Sequence, residues 1–131
     1  MSRSSLQFFF SGSVLLLWMA IIFAFSAMPG SPDSFEPTFS FILERKGAHV
    51  VEYFGLTLLA YRFLELLYAR ESFRRLLLAA SAFALAYGAL DELHQFFTPY
   101  RGAKLTDVGV DLIGILLAAA LLVFFRRIRQ K

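Results

Sequence analysis

Charged residues are absent from long stretches of this chain, and those stretches predict its elements. From Ser4 to Pro32 no side chain is charged. About 20 residues of helix cross a bilayer core, so a spanning helix is expected over about 7–28, where Pro29-Gly30-Ser31-Pro32 breaks it. Further apolar stretches predict helices over about 47–68, 76–96 and 105–125, the last two separated by Thr98-Pro99-Tyr100-Arg101-Gly102. These three contain acidic residues, so hydropathy marks them less sharply than the first. No connection is long enough to form a domain, and no internal repeat is visible. The pattern predicts an all-α fold, with one domain over residues 1–131 forming an integral membrane bundle of four transmembrane helices.

The connection over 29–46 is not uniformly polar. Phe39, Phe41, Ile42 and Leu43 precede Glu44-Arg45-Lys46, which suits either a short helix on the membrane interface or an ordered loop packed on the bundle. Arg3 resembles the basic start of a signal peptide. However, Phe8 to Met28 exceeds the usual apolar run of about 7–15 residues, and Phe25-Ser26-Ala27-Met28 is a weak cleavage site. A retained first helix is expected.

Composition agrees with a membrane protein: 58% of the 131 residues are hydrophobic and 18% charged, against about 45–50% and about 25% in soluble domains. Cysteine is absent, which excludes disulfides and thiol nucleophiles. The net charge of +3 is read as membrane topology, with no nucleic-acid partner. Four spans place both termini beside the 69–75 connection. That side carries Arg3, Arg70, Arg74, Arg75, Arg126, Arg127, Arg129 and Lys131, against Arg45, Lys46, Arg101 and Lys104 on the other. Basic residues collect on the cytoplasmic side, so the termini are expected in the cytoplasm of a cell (cytoplasmic) membrane protein, with connections 29–46 and 97–104 facing outward.

Ionisable groups within membrane helices are expensive and mark function by default. Here they gather at one depth. At 100° per residue, Lys46, His49 and Tyr53 share a face of the second span, with Glu52 at its margin. On the third span Asp91 and Gln95 lie one turn apart, bordered by Glu92 and Gly88, while His94 points more to the side. On the fourth, Asp107, Asp111 and Gly114 form a stripe. Arg101 and Lys104 lie in the connecting hairpin. All of these belong to the expected outer end. The inner half holds Arg62 and Glu65, one turn apart, which are expected to pair and snorkel. Ala80, Ala84 and Gly88, at four-residue spacing, suit close helix packing.

The order Lys46-x-x-His49-x-x-x-Tyr53, Asp91-Glu92-x-x-Gln95-x-Phe97, Arg101, Asp107-x-x-x-Asp111-x-x-Gly114 resembles the VanZ-like family over about residues 45–118. Asp111 departs from it, standing where the family commonly has Asn; the extra acid could strengthen a cation site or carry a proton. The founding member is associated with teicoplanin resistance, a cell-surface phenotype. The resemblance implies a small membrane protein whose helices form a lipid-active core, acting on head groups or lipid-linked phosphoesters of the envelope.

Under that reading His49, Asp91, Glu92 and Asp107 are the candidate catalytic residues. His49 would be nucleophile or general base, with the carboxylates orienting it, moving protons or holding a divalent cation. Oxygen-rich ligands would favour Mg²⁺, Mn²⁺ or Ca²⁺, although one histidine among acids matches no specific metal signature. Lys46, Tyr53, Gln95, Arg101 and Asp111 are the candidate substrate-binding residues, the cations for phosphate. Two other readings stay open: binding of an amphiphile, such as a lipid-linked precursor or a lipoglycopeptide, without chemistry, and a salt-bridge network that only locks the helices. The substrate and the oligomeric state are not set by the sequence.

Overall fold

A computed structural model of the chain describes residues 3–29, 39–100 and 105–130. They form four helices: α1 Arg3–Ser26, α2 Phe39–Leu67, α3 Phe73–Phe96 and α4 Leu105–Arg129. The protein is therefore all-α over its described residues. Three stretches are long and apolar enough to cross a membrane: Ser5–Ser26, Phe73–Phe96 and Thr106–Arg129. The expected span over 47–68 falls in α2 up to its end at Leu67; the 29 residues of this helix include Glu44, Arg45, Lys46, Glu52, Arg62 and Glu65, and it is not among the three.

Each helix extends beyond its predicted apolar stretch at one end: α1, α2 and α3 start earlier and α4 ends later, while α1 stops at Ser26. The largest correction falls on the 29–46 connection. Residues 39–46 are neither a separate interfacial helix nor a loop, but the first turns of α2. Leu43, Glu44, Arg45 and Lys46 are good or tolerable helix formers, and the cost of Gly47, about 1 kcal/mol against alanine, is too small to stop propagation. Residues 30–38 lie outside the described ones. Helix α3 starts at Phe73 because Ser72 caps it: the Ser72 backbone is extended and its hydroxyl accepts from the Arg75 backbone N–H at 3.4 Å. Helix α4 continues through Arg126, Arg127 and Arg129, where cations complement the C-terminal dipole.

Helix α2 is the centre of the bundle. It packs on α1, α3 and most extensively α4, whereas α1 barely touches α3 and does not reach α4 among the described residues. Phe8 stacks on Phe63 at 5.2 Å and Arg126 lies 4.3 Å from the centre of the Phe73 ring. One end of the bundle therefore collects the start of α1, the end of α2, the start of α3 and the end of α4. The opposite end collects the complementary termini. Phe9, Phe10, Leu16, Leu17, Leu78, Leu116 and Phe124 are exposed, the outward apolar surface a bundle presents to lipid.

Large side chains such as Ile22, Tyr53 and Leu56 fill the interior, and small residues stand where the helices approach most closely. Ala80 and Ala84 on α3 and Ala118 on α4 are completely buried. The closest approach is at Gly114: a Cβ there would collide with the Val50 carbonyl oxygen and lie 2.9 Å from the Phe54 backbone nitrogen. Backbone cannot swing aside as a side chain can, so α2 and α4 would have to separate. Gly109, on the same helix, has nothing within 4 Å of a would-be Cβ. Gly114→Ala should cost about 1–3 kcal/mol as overpacking, read as a lowered thermal midpoint in detergent. Gly109→Ala, at an open helical position, should instead raise the midpoint, by up to about 1 kcal/mol of helix propensity. Equal midpoints for the two variants would contradict the close contact.

Candidate functional site

The end of the bundle opposite the arginine-rich termini carries a buried polar cluster. On α2, His49 is 6% exposed and its Nδ1 lies 2.9 Å from Asp111 Oδ1 on α4. Asp111 is completely buried. A carboxylate can only accept, so with Asp111 ionised the Nδ1–H donates and Nε2 is the basic nitrogen. The pairing follows from the packing below it. His49 adjoins Val50, Asp111 precedes Gly114 by one turn, and Val50 and Gly114 are in backbone contact.

The Tyr53 ring lies nearly parallel to the His49 ring, 6.4 Å away at 9°. It is completely buried against α3 at Gly88. A Cβ on Gly88 would sit 2.9 Å from Asp111 Oδ2 and 3.2 Å from Tyr53 Cε1. Glycine at this position thus makes room for the face of the tyrosine and the back of the aspartate together.

A second set of contacts joins α2, α3 and α4. Arg45 Nη2 donates to Gln95 Oε1 at 3.3 Å and lies 3.9 Å from Asp107 Oδ2. The amide Nε2 of Gln95 donates to Asp91 Oδ2 at 3.0 Å. Asp91, Glu92, Gln95 and Asp107 are all buried. Gln95 uses both ends of its amide, accepting from a cation and donating to an acid, so it fixes the guanidinium relative to the carboxylate.

A cleft of about 340 Å³ opens beside this network. Arg45, His49 and Glu52 from α2 and Asp91 and Gln95 from α3 form its polar side, and Ile22, Phe25 and Met28 from α1 and the residues just after it form an apolar wall. Helix α1 is held there by two hydrogen bonds to backbone: Trp18 Nε1–H donates to the Glu52 carbonyl at 2.9 Å and the Tyr87 hydroxyl to the Met19 carbonyl at 2.8 Å.

The structure thus brings His49, Tyr53, Asp91, Glu92, Gln95, Asp107 and Asp111 to one end, but with different tasks. Asp111 is completely buried, does not line the cleft and bonds the imidazole of His49 at Nδ1. Asp91 is bonded to Gln95 instead, and Asp107 lies beside Arg45. Lys46 is exposed and outside the cleft; its neighbour Arg45 is the cation that points in. Arg101 and Lys104 lie outside the described residues. His94 is half-buried with its ring on Phe23 at 4.7 Å, away from the cleft. Among the described residues no three His, Asp or Glu side chains are grouped so as to hold a metal ion. Sequence reasoning missed Arg45 and the α1 wall. The signal for Arg45 was present, since Arg45, His49 and Glu52 follow the i, i+4, i+7 spacing of one helical face.

Membrane-length helices with a buried polar cluster between them define a helical membrane protein. A family model described as VanZ/LLP1 matches residues 12–126, and the chain belongs to this family. Comparisons with curated proteins and with solved structures find no match. The match extends from α1 to the last turns of α4 and so includes the apolar wall as well as the polar cluster.

Because Asp111 is short, buried and bonded to His49, pressure from position 88 should pass to the imidazole. Gly88→Ala is expected to lower the thermal midpoint, at about 1–3 kcal/mol of overpacking, and to shift the His49 ring resonances in NMR. Unmoved resonances alongside a lowered midpoint would mean that Asp111 yields without carrying His49 with it.

Proposed function

We propose that the chain is a four-span cell-membrane protein with both termini in the cytoplasm. Its cleft, at the extracytoplasmic end, takes the head group of an envelope lipid or lipid-linked precursor and breaks or transfers a phosphoester. The observation that carries this reading is the His49–Asp111 pair, buried on one side and bordering an amphipathic cleft on the other. An imidazole held by a carboxylate at Nδ1 is the arrangement by which a histidine serves as general base or nucleophile through Nε2. The Arg45 guanidinium, held by Gln95, offers a planar donor for phosphate oxygens. The wall of Ile22, Phe25 and Met28 suits the start of an acyl or prenyl chain. The reading calls on no metal.

The topology is supported by charge. Arg74, Arg126 and Arg127 meet at the end away from the cleft, and basic residues gather on the cytoplasmic side. A structural reading has its own support, because the contacts Asp107–Arg45–Gln95–Asp91 tie three helices together. Binding of an amphiphile without chemistry, of a lipoglycopeptide for example, would use the same cleft.

Reconstitution with candidate envelope lipids, read by mass spectrometry for head-group loss or exchange, separates these. His49→Gln should lower turnover at least about 100-fold, the weight of a general base, with the thermal midpoint kept; Arg45→Gln should mainly raise KM. Lipid retained but never converted by the parent protein would leave binding as the function. Loss of activity only in step with loss of folding would leave the structural network.

The absence of cysteine makes topology directly measurable. A cysteine introduced by Gln130→Cys should react with impermeant maleimide only after the membrane is opened, and one from Phe97→Cys in intact cells. The reverse pattern would move the cleft to the cytoplasmic leaflet.

A further inference from the structure

The arginine-rich end contains a second recess, unrelated to the cleft. A groove of about 470 Å³ runs between the start of α3 and the end of α4, lined by Ser72, Arg74 and Leu77 on one side and Val123, Arg126 and Arg127 on the other. Its rim is cationic and its floor apolar, since Leu77 lies one turn into α3 from Arg74 and Val123 one turn into α4 from Arg127.

The charges of this groove are not neutralised from within. The acids of this end are engaged elsewhere: Glu65 pairs with Arg62 at 2.6 Å and Glu71 with Arg75 at 3.1 Å. No acidic side chain among the described residues pairs with Arg74, Arg126 or Arg127. Arg126 is instead held against the Phe73 ring, 4.3 Å from its centre, which keeps the guanidinium over the mouth of the groove. The start of α3 adds the positive end of a helix dipole beside these cations.

We infer that this groove binds the phosphate head group of an anionic phospholipid in the adjoining leaflet. The three guanidinium groups and the start of α3 face the phosphate, and the first part of an acyl chain lies over Leu77 and Val123. The depth agrees, because the arginines sit where the membrane-length stretches of α3 and α4 end and long cationic side chains reach the head-group layer. Charge complementarity favours an anionic lipid over a zwitterionic one, and the apolar floor favours a lipid over a free anion. The site is independent of the cleft and its proposed chemistry.

The test uses the purified full chain in mild detergent, offered phosphatidylglycerol, phosphatidylcholine or inorganic phosphate. Bound lipid is read by native mass spectrometry and stabilisation by thermal midpoint. Phosphatidylglycerol should be retained in preference to phosphatidylcholine. Arg74→Gln and Arg127→Gln should each weaken its retention roughly fivefold, the weight of one basic residue near an anionic surface. Arg70→Gln removes a charge from the same end outside the groove and should leave retention unchanged. All three positions are exposed, so the substitutions leave the packed interior intact. Equal retention of phosphatidylcholine would overturn the inference, as would undiminished retention by the groove variants or an equal loss with Arg70→Gln. Stabilisation by inorganic phosphate alone, matching that by lipid, would show a free-anion site and overturn it as well.

Discussion

Helices α2 and α4 come into backbone contact where Val50 meets Gly114, and the rest of the molecule depends on that approach. In lipid the hydrophobic effect gives helices no reason to prefer one another over acyl chains; close packing and interhelical hydrogen bonds supply the association instead. A glycine at the crossing allows both. It lets the backbones touch, and it brings the next turn of each helix close enough for His49 and Asp111 to bond. A larger residue would separate the helices and stretch that hydrogen bond. The Ala80, Ala84 and Gly88 stripe does the same for α3, ending where the back of Asp111 and the ring of Tyr53 occupy the space a side chain would fill.

The two ends of the bundle treat charge in opposite ways. At the arginine-rich end Arg62–Glu65 and Arg75–Glu71 are solvent-exposed pairs one turn apart, worth about 0–1 kcal/mol each. At the other end most of the groups are buried and several contacts run between helices, so the contacts are conditional on one another. Gln95 cannot release Arg45 without leaving an acceptor unsatisfied, and Asp111 cannot leave His49 without stranding an interior carboxylate. An unsatisfied buried polar group costs about 1–3 kcal/mol, more if charged. That interdependence bears on Asp111 in place of the family's usual Asn: either side chain can accept from Nδ1–H, but the carboxylate adds negative charge at the imidazole.

Much of this was legible in the sequence, and the misreadings have physical causes. Uncharged runs located α1, α3 and α4 because a bilayer imposes length and hydropathy together. Helix ends were misplaced because a helix continues into the head-group region on propensity and capping, which hydropathy does not register; Ser72 and residues 39–46 are the cases. The polar end was legible because its ionisable residues are expensive anywhere else in a membrane. Their partners were not, since helical spacing fixes which face a residue occupies on its own helix and says nothing about which neighbour that face meets. Lys46 and Arg45 are adjacent, and His49 lies one turn from both. Only the packing of α3 and α4 against α2 selects Arg45 as the residue that turns inward.

Helix α1 was the part least open to such reasoning, and it supplies most of the cleft's apolar wall. It has no charge between Ser4 and Ser26, so no polar stripe announces its role. It is also the least enclosed of the membrane-length helices, with 11% of its apolar window buried against 33% for α3 and 22% for α4. It rests on α2, and the bonds from Trp18 and to Met19 tie it to its neighbours' backbone and side chain rather than into the polar network. The cleft is thus asymmetric in how its two sides are held as well as in polarity. The side bearing His49 and Arg45 is joined by contacts among α2, α3 and α4, while the apolar side belongs to a helix held by two separate hydrogen bonds. Under the proposed function, a head group entering the cleft would meet an imidazole and a guanidinium already held by Asp111 and Gln95, which is what preorganisation requires.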